Sequence, residues 1–554
     1  MAATAQRAIP TSVSNVLSVS ATLDREPPVA EIRAIIQRPD DVGAATAFLN
    51  VLDQFDPSAP RGSELTKALV VALSCGYDAW KAEHFSTQNL RFEIDAALSA
   101  DADRLRFAPD TVSLITALLH NRQVRCVHIE AVLMSLRTGL LNCAMAGEDA
   151  RTDQIELAEA MARHSFRTEY IWDETGCEQD DVAALVRKVS DQLKLGAEIS
   201  AFDLFMIAAY RPLCGLEAVR TWVRDMAATN PNALDGTLRL LVLDRIIEDE
   251  THIEAITPVT SQVSKEVQSQ YEENPYPRWH NMPALHPFND VAAYVASSVG
   301  QSKKGQGGAP QQAKVLIAGA GTGAHPISVA QTLPHAGVLA IDLSRASLAY
   351  ATREAALRGV KNVAFAQADI LKLADVDVQF DLIESVGVLH HMENPEAGLQ
   401  ALLKVLKPGG HLRLALYSKA ARGGVNVARS RFADGAFAPG LRGIRAFRRD
   451  LIGTDDPALI QLQGTPDFFS ASEFRDLVMH VQEHQFTLPQ ISAMLKRNGL
   501  KFLGFSSSAA RDALRKMPPK MAQRRQRDLD AWDKYEKRHP DTFTRMYDFF
   551  CVKR

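Results

Sequence analysis

Long apolar runs are missing from this 554-residue chain: nowhere do the roughly 18 apolar residues of a membrane-spanning helix follow one another. The opening stretch MAATAQRAIPTSVSNVLSVSATLDREPP lacks a basic start followed by an apolar core, so it does not read as an export signal. Cysteine is scarce. The six present, Cys75, Cys126, Cys143, Cys177, Cys214 and Cys551, form no CxxC pair and have no histidine at ligand spacing, which argues against a disulfide scaffold or a zinc module. Net charge is nearly absent as well, since 62 Lys and Arg against 66 Asp and Glu leave −4, too little for a global field toward nucleic acid or an anionic membrane. RNP-type aromatic motifs are also missing. The expectation is a soluble cytoplasmic protein with no metal, no membrane insertion and no nucleic-acid partner.

What is present organises into several units, because a chain of this length exceeds one core and roughly 100 to 200 residues per domain predicts about three. Residues 1–28, rich in Ala, Ser, Thr and Pro without sustained period, read as a poorly ordered arm. Over 29–260 apolar residues recur at helical spacing, as in Ile32, Ile35 and Ile36 or Val112, Leu114, Ile115, Leu118 and Leu119, which predicts a helical domain. LTKALVVALSCGYDAW and PDTVSLITALLHNRQVRCVHIEAVLMSLRTGLL hint at a repeat within it. A junction at 261–301 follows, in which Pro275 and Pro277 hold their preceding residues out of the helical basin. QSKKGQGGAPQQAK then reads as a flexible connection.

From Lys314 short apolar runs alternate with helical stretches. VLIAG, GVLAIDL, NVAFAQAD, FDLIESVG and GHLRLALY are five strands of a doubly wound parallel sheet, and QISAMLKRNGLKFLGFS and RMYDFFCVKR bring the count to seven. The predicted core spans 314–418, an acceptor-side insertion 419–488, and the completion of the sheet, with a second insertion, 489–554.

The chemistry gathers at strand ends. Gly319, Gly321 and Gly323, with Ala320 and Thr322 between them, form a turn after the first strand where backbone can approach a ligand that side chains would exclude. Asp342, followed by Leu343, ends the second strand, placed to accept both hydroxyl hydrogens of an adenosine ribose. Asp369, followed by the apolar Ile370, ends the third strand. Glu384, Ser385 and His390 follow on the fourth, in FDLIESVGVLHHMENP.

In that order these residues resemble class I S-adenosylmethionine (SAM)-dependent methyltransferases. The resemblance implies a seven-stranded Rossmann-like α/β sheet, here joined to an N-terminal all-helical domain and C-terminal helical insertions, with SAM as cofactor. It also implies that Asp369 meets the adenine amino group and that His390 and Glu384 lie beside the transferred methyl. Many such enzymes carry an acid two residues before the first glycine, where this chain has Ile317, so the donor ammonium needs another partner, either Glu384 or a carbonyl near Gly319. QYEENPYPRW, AIDLSRASLAYA, LYSKAARGGVNVAR and the terminal MYDFF further resemble a bacterial subgroup fused to tetratricopeptide repeats. The layout resembles bacterial lysine methyltransferases of outer-membrane proteins. That likeness implies a polypeptide acceptor and dimerisation through the helical domain. It also makes Tyr276 and Arg278, with Tyr271 and Trp279, candidates for a lid over the donor.

On the acceptor side, His390, Glu384 and Tyr417 are the candidate catalytic residues, since an amine acceptor must arrive neutral and needs a base or a desolvated pocket. Arg442, Arg445, Arg448 and Arg449 at near-helical spacing, and Arg524, Arg525 and Arg527, read first as solvated faces and second as steering charges for an acidic partner. Small-molecule or glycan O- or N-methylation is the alternative enzyme reading, and a SAM-binding scaffold is the non-enzyme one.

Overall fold

The computed structural model describes residues 115–554, apart from 117–118, 121–122, 126, 148, 231–233, 280–281, 283–284, 302–311, 436 and 439. The expected N-terminal arm, most of both suggested repeats' first helices and most of the Gly-rich connection lie outside the described residues. No helix among the described residues is long and apolar enough to cross a membrane.

The chain divides into two compact units. The first joins the region before residue 243 to two later segments, 439–454 and 463–470. Helices over Val127–Ala146, Thr152–Arg167, Gly176–Lys194, Ala201–Ala208 and Glu217–Thr229 build it. Sequence sets their starts: Thr175 and Glu178 form a reciprocal capping box, and Ser200 caps the next helix through Asp203 N. Phe202 to Ala208 are all buried, so this short helix is surrounded on every side, as a core element is.

The basic insertion corrects an expectation. The helix Leu441–Ile452, expected within an acceptor-side insertion and with a solvated arginine face, belongs to this helical unit. Arg445 donates to Glu174 at 2.6 Å and to the Tyr170 carbonyl, while Arg448 is buried with Glu130 and the Phe468 carbonyl. Two of the four arginines are therefore internal ion-pair partners, because helical spacing alone does not say which face meets solvent. In the second run the helix Pro519–Gln526 buries none of its residues, and Arg525 lies over the Tyr535 ring at 4.9 Å.

The second unit contains the rest and is organised by a seven-stranded sheet: β1 Lys314–Ala318, β2 Gly337–Asp342, β3 Val363–Gln367, β4 Phe380–Val386, β5 Leu406–Tyr417, β6 Leu500–Phe505 and β7 Met546–Lys553. Their order is β3-β2-β1-β4-β5-β7-β6, with β1 to β5 parallel and β7 antiparallel to both neighbours. Strands buried on both faces need near-continuous apolar runs, which KVLIA supplies. Alternation then splits the core, with Leu316, Ile383, Leu414 and Phe549 on one face and Val315, Ile317, Leu382 and Phe550 on the other. Chain order reverses between β1 and β4, so the crevice beyond their C-terminal ends is where such a sheet takes a ligand.

Candidate active site

The turn after β1 is fixed by main-chain bonds before any ligand is considered. Gly319 N and Ala320 N both donate to the Ile341 carbonyl at 2.9 Å, and Gly321 N donates to Asp342 Oδ2 at 2.8 Å. Gly321 has φ +50°, and a Cβ there would lie 2.6 Å from the Tyr276 carbonyl oxygen. Gly319, at φ +88°, would place a Cβ 2.1 Å from Val388 Cγ2. Both positions exclude a side chain on conformational and steric grounds. Gly323, also left-handed, starts the helix Ala324–Thr332.

The carboxylates stand where the strand ends converge. Asp342 accepts from Gly321 N and from Ser344 N at 3.0 Å, leaving a further lone pair on each oxygen. Burial raises its pKa, and the backbone N–H groups of Ser344, Gly321 and Leu343 work against that rise. Leu343 lends its carbonyl to Gln367 Nε2. Asp369 is buried; its Oδ1 accepts from Leu371 N at 3.0 Å, and its Oδ2 has no hydrogen-bond partner. Such an orphaned acceptor next to buried Ile370 suits an exocyclic amino group. Together with the two glycine cradles it fits the adenosine half of SAM.

Segment 271–279 is stitched to this turn. Thr322 N donates to the Tyr276 carbonyl at 3.2 Å, Thr322 Oγ1 to the Pro277 carbonyl, and Trp279 Nε1 to the Thr322 carbonyl at 2.9 Å. The Tyr276–Pro277 peptide is cis. Glu272 accepts from Arg345 N and Ala346 N at 2.7 and 3.0 Å, closing the first turn of the helix Arg345–Leu357. Tyr276 stacks near Tyr271, and Arg278 is half-buried close enough to Tyr350 to lower that phenol's pKa against the larger effect of burial. Trp279 also packs edge-on to Tyr350, anchoring the segment to the turn.

Glu384, on β4, uses one carboxylate oxygen in an ion-pair cluster, while its Oε1 has no hydrogen-bond partner. It is fully buried, 2.7 Å from His325 Nε2 and 3.0 Å from Arg413 Nη1, while Arg413 also grips Asp548. Burial alone would raise its pKa, but Arg413 and His325 overcome this and hold it at about 2. This carboxylate is a neutralised strand-to-strand tie.

His390 and Tyr417 do come together, their rings 3.9 Å apart. Burial, reinforced by neighbouring His391 and His480, drives His390 well below the ordinary histidine value, so its ring is neutral near pH 7. Sequence reasoning missed the group beside them. Asp476, on the helix Ala471–Met479, accepts from Tyr271 OH at 2.6 Å and Tyr417 OH at 3.3 Å, and His391 stacks on His480 at 3.6 Å. It also missed segment 254–257, which bridges beside β3 and whose Thr257 Oγ1 supports Asp369 N. No local pattern announces either, because their partners lie 59 to 205 residues away in the chain.

Comparison with known proteins supplies the remaining link. The family described as a methyltransferase domain matches residues 311–430. An uncharacterised protein of Synechococcus sp., syc1184_c, is 33% identical over 211 residues, 36% of this chain and 50% of that one. The ubiquinone/menaquinone biosynthesis C-methyltransferase UbiE of Azotobacter vinelandii is 35% identical over 108 residues, 19% of this chain and 43% of that protein. The chain thus spans half or less of the length of these curated relatives. Among solved structures, PKMT2 of Rickettsia typhi with AdoHcy aligns with TM-score 0.37 and 19% identity over 50% of this chain and 56% of that one. The matched methyltransferase-domain family lies over the glycine turn and the strand ends that carry Asp342 and Asp369.

Proposed function

We propose that the protein methylates a polypeptide side chain, with lysine Nζ as the acceptor. The observation that carries this reading is the course of the chain after β5, which passes through the helical unit at 439–454 and again at 463–470 before returning to the helix that bears Asp476. A small free metabolite needs no such link between its acceptor side and a second folded unit.

SAM, when bound, supplies a methyl group activated by its sulfonium. The chain's own residues hold and orient: Asp342 takes the ribose hydroxyls, Asp369 Oδ2 the adenine amino group, and Gly319 to Gly323 admit the chain of the donor closely. Arg413 and His325 engage Glu384 through Oε2, so Glu384 Oε1 and the carbonyls at the glycine turn are the acceptors open to the donor ammonium. Tyr276 and its neighbours cover the turn and exclude water. His390 and Tyr417 stand on the acceptor side.

Tritiated-methyl labelling of a cell extract by the purified protein, followed by separation into protein, lipid and small-molecule fractions, tests the reading. Label in polypeptide is expected. Label confined to small molecules would overturn it, and SAM binding with no label in any fraction would favour a scaffold.

A further inference from the structure

Among the described residues several of the buried carboxylates are ion-paired, whereas Asp476, like Asp369 and Glu536, is not. Glu384 is paired with Arg413, Glu483 with Arg422, Glu174 with Arg445 and Arg211, and Glu130 with Arg448. Asp476 is 3% exposed and makes no ion pair among the described residues; it is held by two phenols, Tyr271 on Oδ1 and Tyr417 on Oδ2. Phenol donors satisfy lone pairs without neutralising the charge, and Arg422, which acts on Asp476 from over the Tyr417 ring, is itself paired with Glu483, so a further cation at the carboxylate is favourable.

Asp476 also lies with His391 and His480 such that one ligand atom from each falls within 4.8 Å of the others. A divalent metal is the first idea such a trio raises, but the tautomers oppose it. His480 Nδ1 accepts from Gln482 N at 3.1 Å, so in the neutral ring its Nε2 carries the proton and has no lone pair for a metal. That Nε2 is buried without a hydrogen-bond partner. His391 is the reverse case: its Nδ1 faces the Gln482 carbonyl at 2.7 Å and must donate, leaving an unprotonated Nε2.

We propose that Asp476 is the seat of the acceptor's ammonium group, and that His391 Nε2 is the base that relieves it of a proton. This deepens the lysine reading and rests on it. The primary ammonium pairs with the Asp476 carboxylate between the Tyr271 and Tyr417 hydroxyls, and one N–H proton passes to His391. The freed nitrogen lone pair forms the N–C bond to the donor methyl as the C–S bond breaks, its electron pair staying on sulfur. The product leaves as a methylammonium, and His391 returns its proton to solvent.

The test uses the full chain, tritiated SAM and the polypeptide fraction of an extract as acceptor. Asp476→Asn should slow labelling at low acceptor by a hundredfold or more while calorimetric SAM affinity changes less than threefold. Asp476→Glu should recover part of the rate. Tyr271→Phe, which keeps the carboxylate, should raise the acceptor KM several-fold with little change in kcat, and it decides the matter if Asp476→Asn does not fold. Near wild-type labelling by both Asp476→Asn and Tyr271→Phe would overturn the seat. So would a wild-type product that is a base-labile ester rather than methyllysine, although polypeptide methylation would then stand. Stoichiometric metal in purified wild type, lost in Asp476→Asn, would replace the seat with a metal site. Label found only on small-molecule amines, and abolished by Asp476→Asn, would uphold the seat while overturning the polypeptide reading.

Discussion

Ile317 on β1 and Glu384 on β4 are direct register partners across the parallel ladder. The first strand is thus apolar where an acid was looked for, and the carboxylate on the neighbouring strand is bound to Arg413 and His325. Replacing Glu384 by Ala leaves the Arg413 guanidinium short of one of its two carboxylates, and breaking a buried pair of this kind costs about 3 to 5 kcal/mol. Urea denaturation at pH 7 should show a loss of that order. The folded protein binds the Glu384 proton more weakly than the unfolded chain does, with a pKa of about 2 against 4.5. The pair's contribution is therefore fully present above about pH 4.5 and is lost as pH falls toward 2. The stability gap between wild type and Glu384→Gln should shrink accordingly between pH 6 and pH 3.

Three buried histidines of the second unit give a second pH dependence. His390, His391 and His480 all have lowered pKa values, chiefly through burial, so each stays neutral in the folded state while the unfolded chain protonates it below its ordinary 6.5. Stability should fall as pH drops below 6.5, with a slope of up to about 1.4 kcal/mol per pH unit for each histidine. Denaturation midpoints at pH 7.5 and 5.5 measure it, and His480→Gln should flatten the slope.

Asp342→Ala removes the carboxylate that orders the Gly321 and Ser344 amides. Hydrogen bonds to a charged group are worth about 1.5 to 3 kcal/mol each, so SAM affinity should drop at least about a hundredfold by calorimetry. Unchanged affinity would show that the ribose is held elsewhere.

Gly321→Ala sets a methyl against the Tyr276 carbonyl, which is backbone and cannot rotate away. Strain at such a left-handed position costs about 1 to 3 kcal/mol. Both melting temperature and SAM affinity should fall, and protection of the Thr322 amide in hydrogen exchange should be lost because its bond to Tyr276 is displaced.

Arg448→Met strips the cation from Glu130, which keeps only its bond from Trp172 Nε1 in a buried setting. Burial raises the Glu130 pKa and Arg448 opposes the rise, so the variant should leave a destabilised or protonated carboxyl. A loss of about 3 to 5 kcal/mol is expected for the helical unit by denaturation. A surface arginine used only for steering would instead leave stability within about 0.5 kcal/mol of wild type.

The sequence by itself determined what local pattern can encode. Continuous apolar runs marked the strands, glycines marked the turn after β1, and Asp342 and Asp369 were placed by their position at strand ends. These follow from side-chain period and backbone sterics within about ten residues. Tertiary structure alone decided the partners. It bound Glu384 to Arg413, assigned the Leu441–Ile452 helix to the other unit, and brought Tyr271 to Asp476 across 205 positions of chain. A charge reads identically in sequence whether it faces water, an arginine or a phenol. Its role depends on which distant residue the packing sets against it, because only desolvation and proximity turn a carboxylate into a tie, a cradle or a seat.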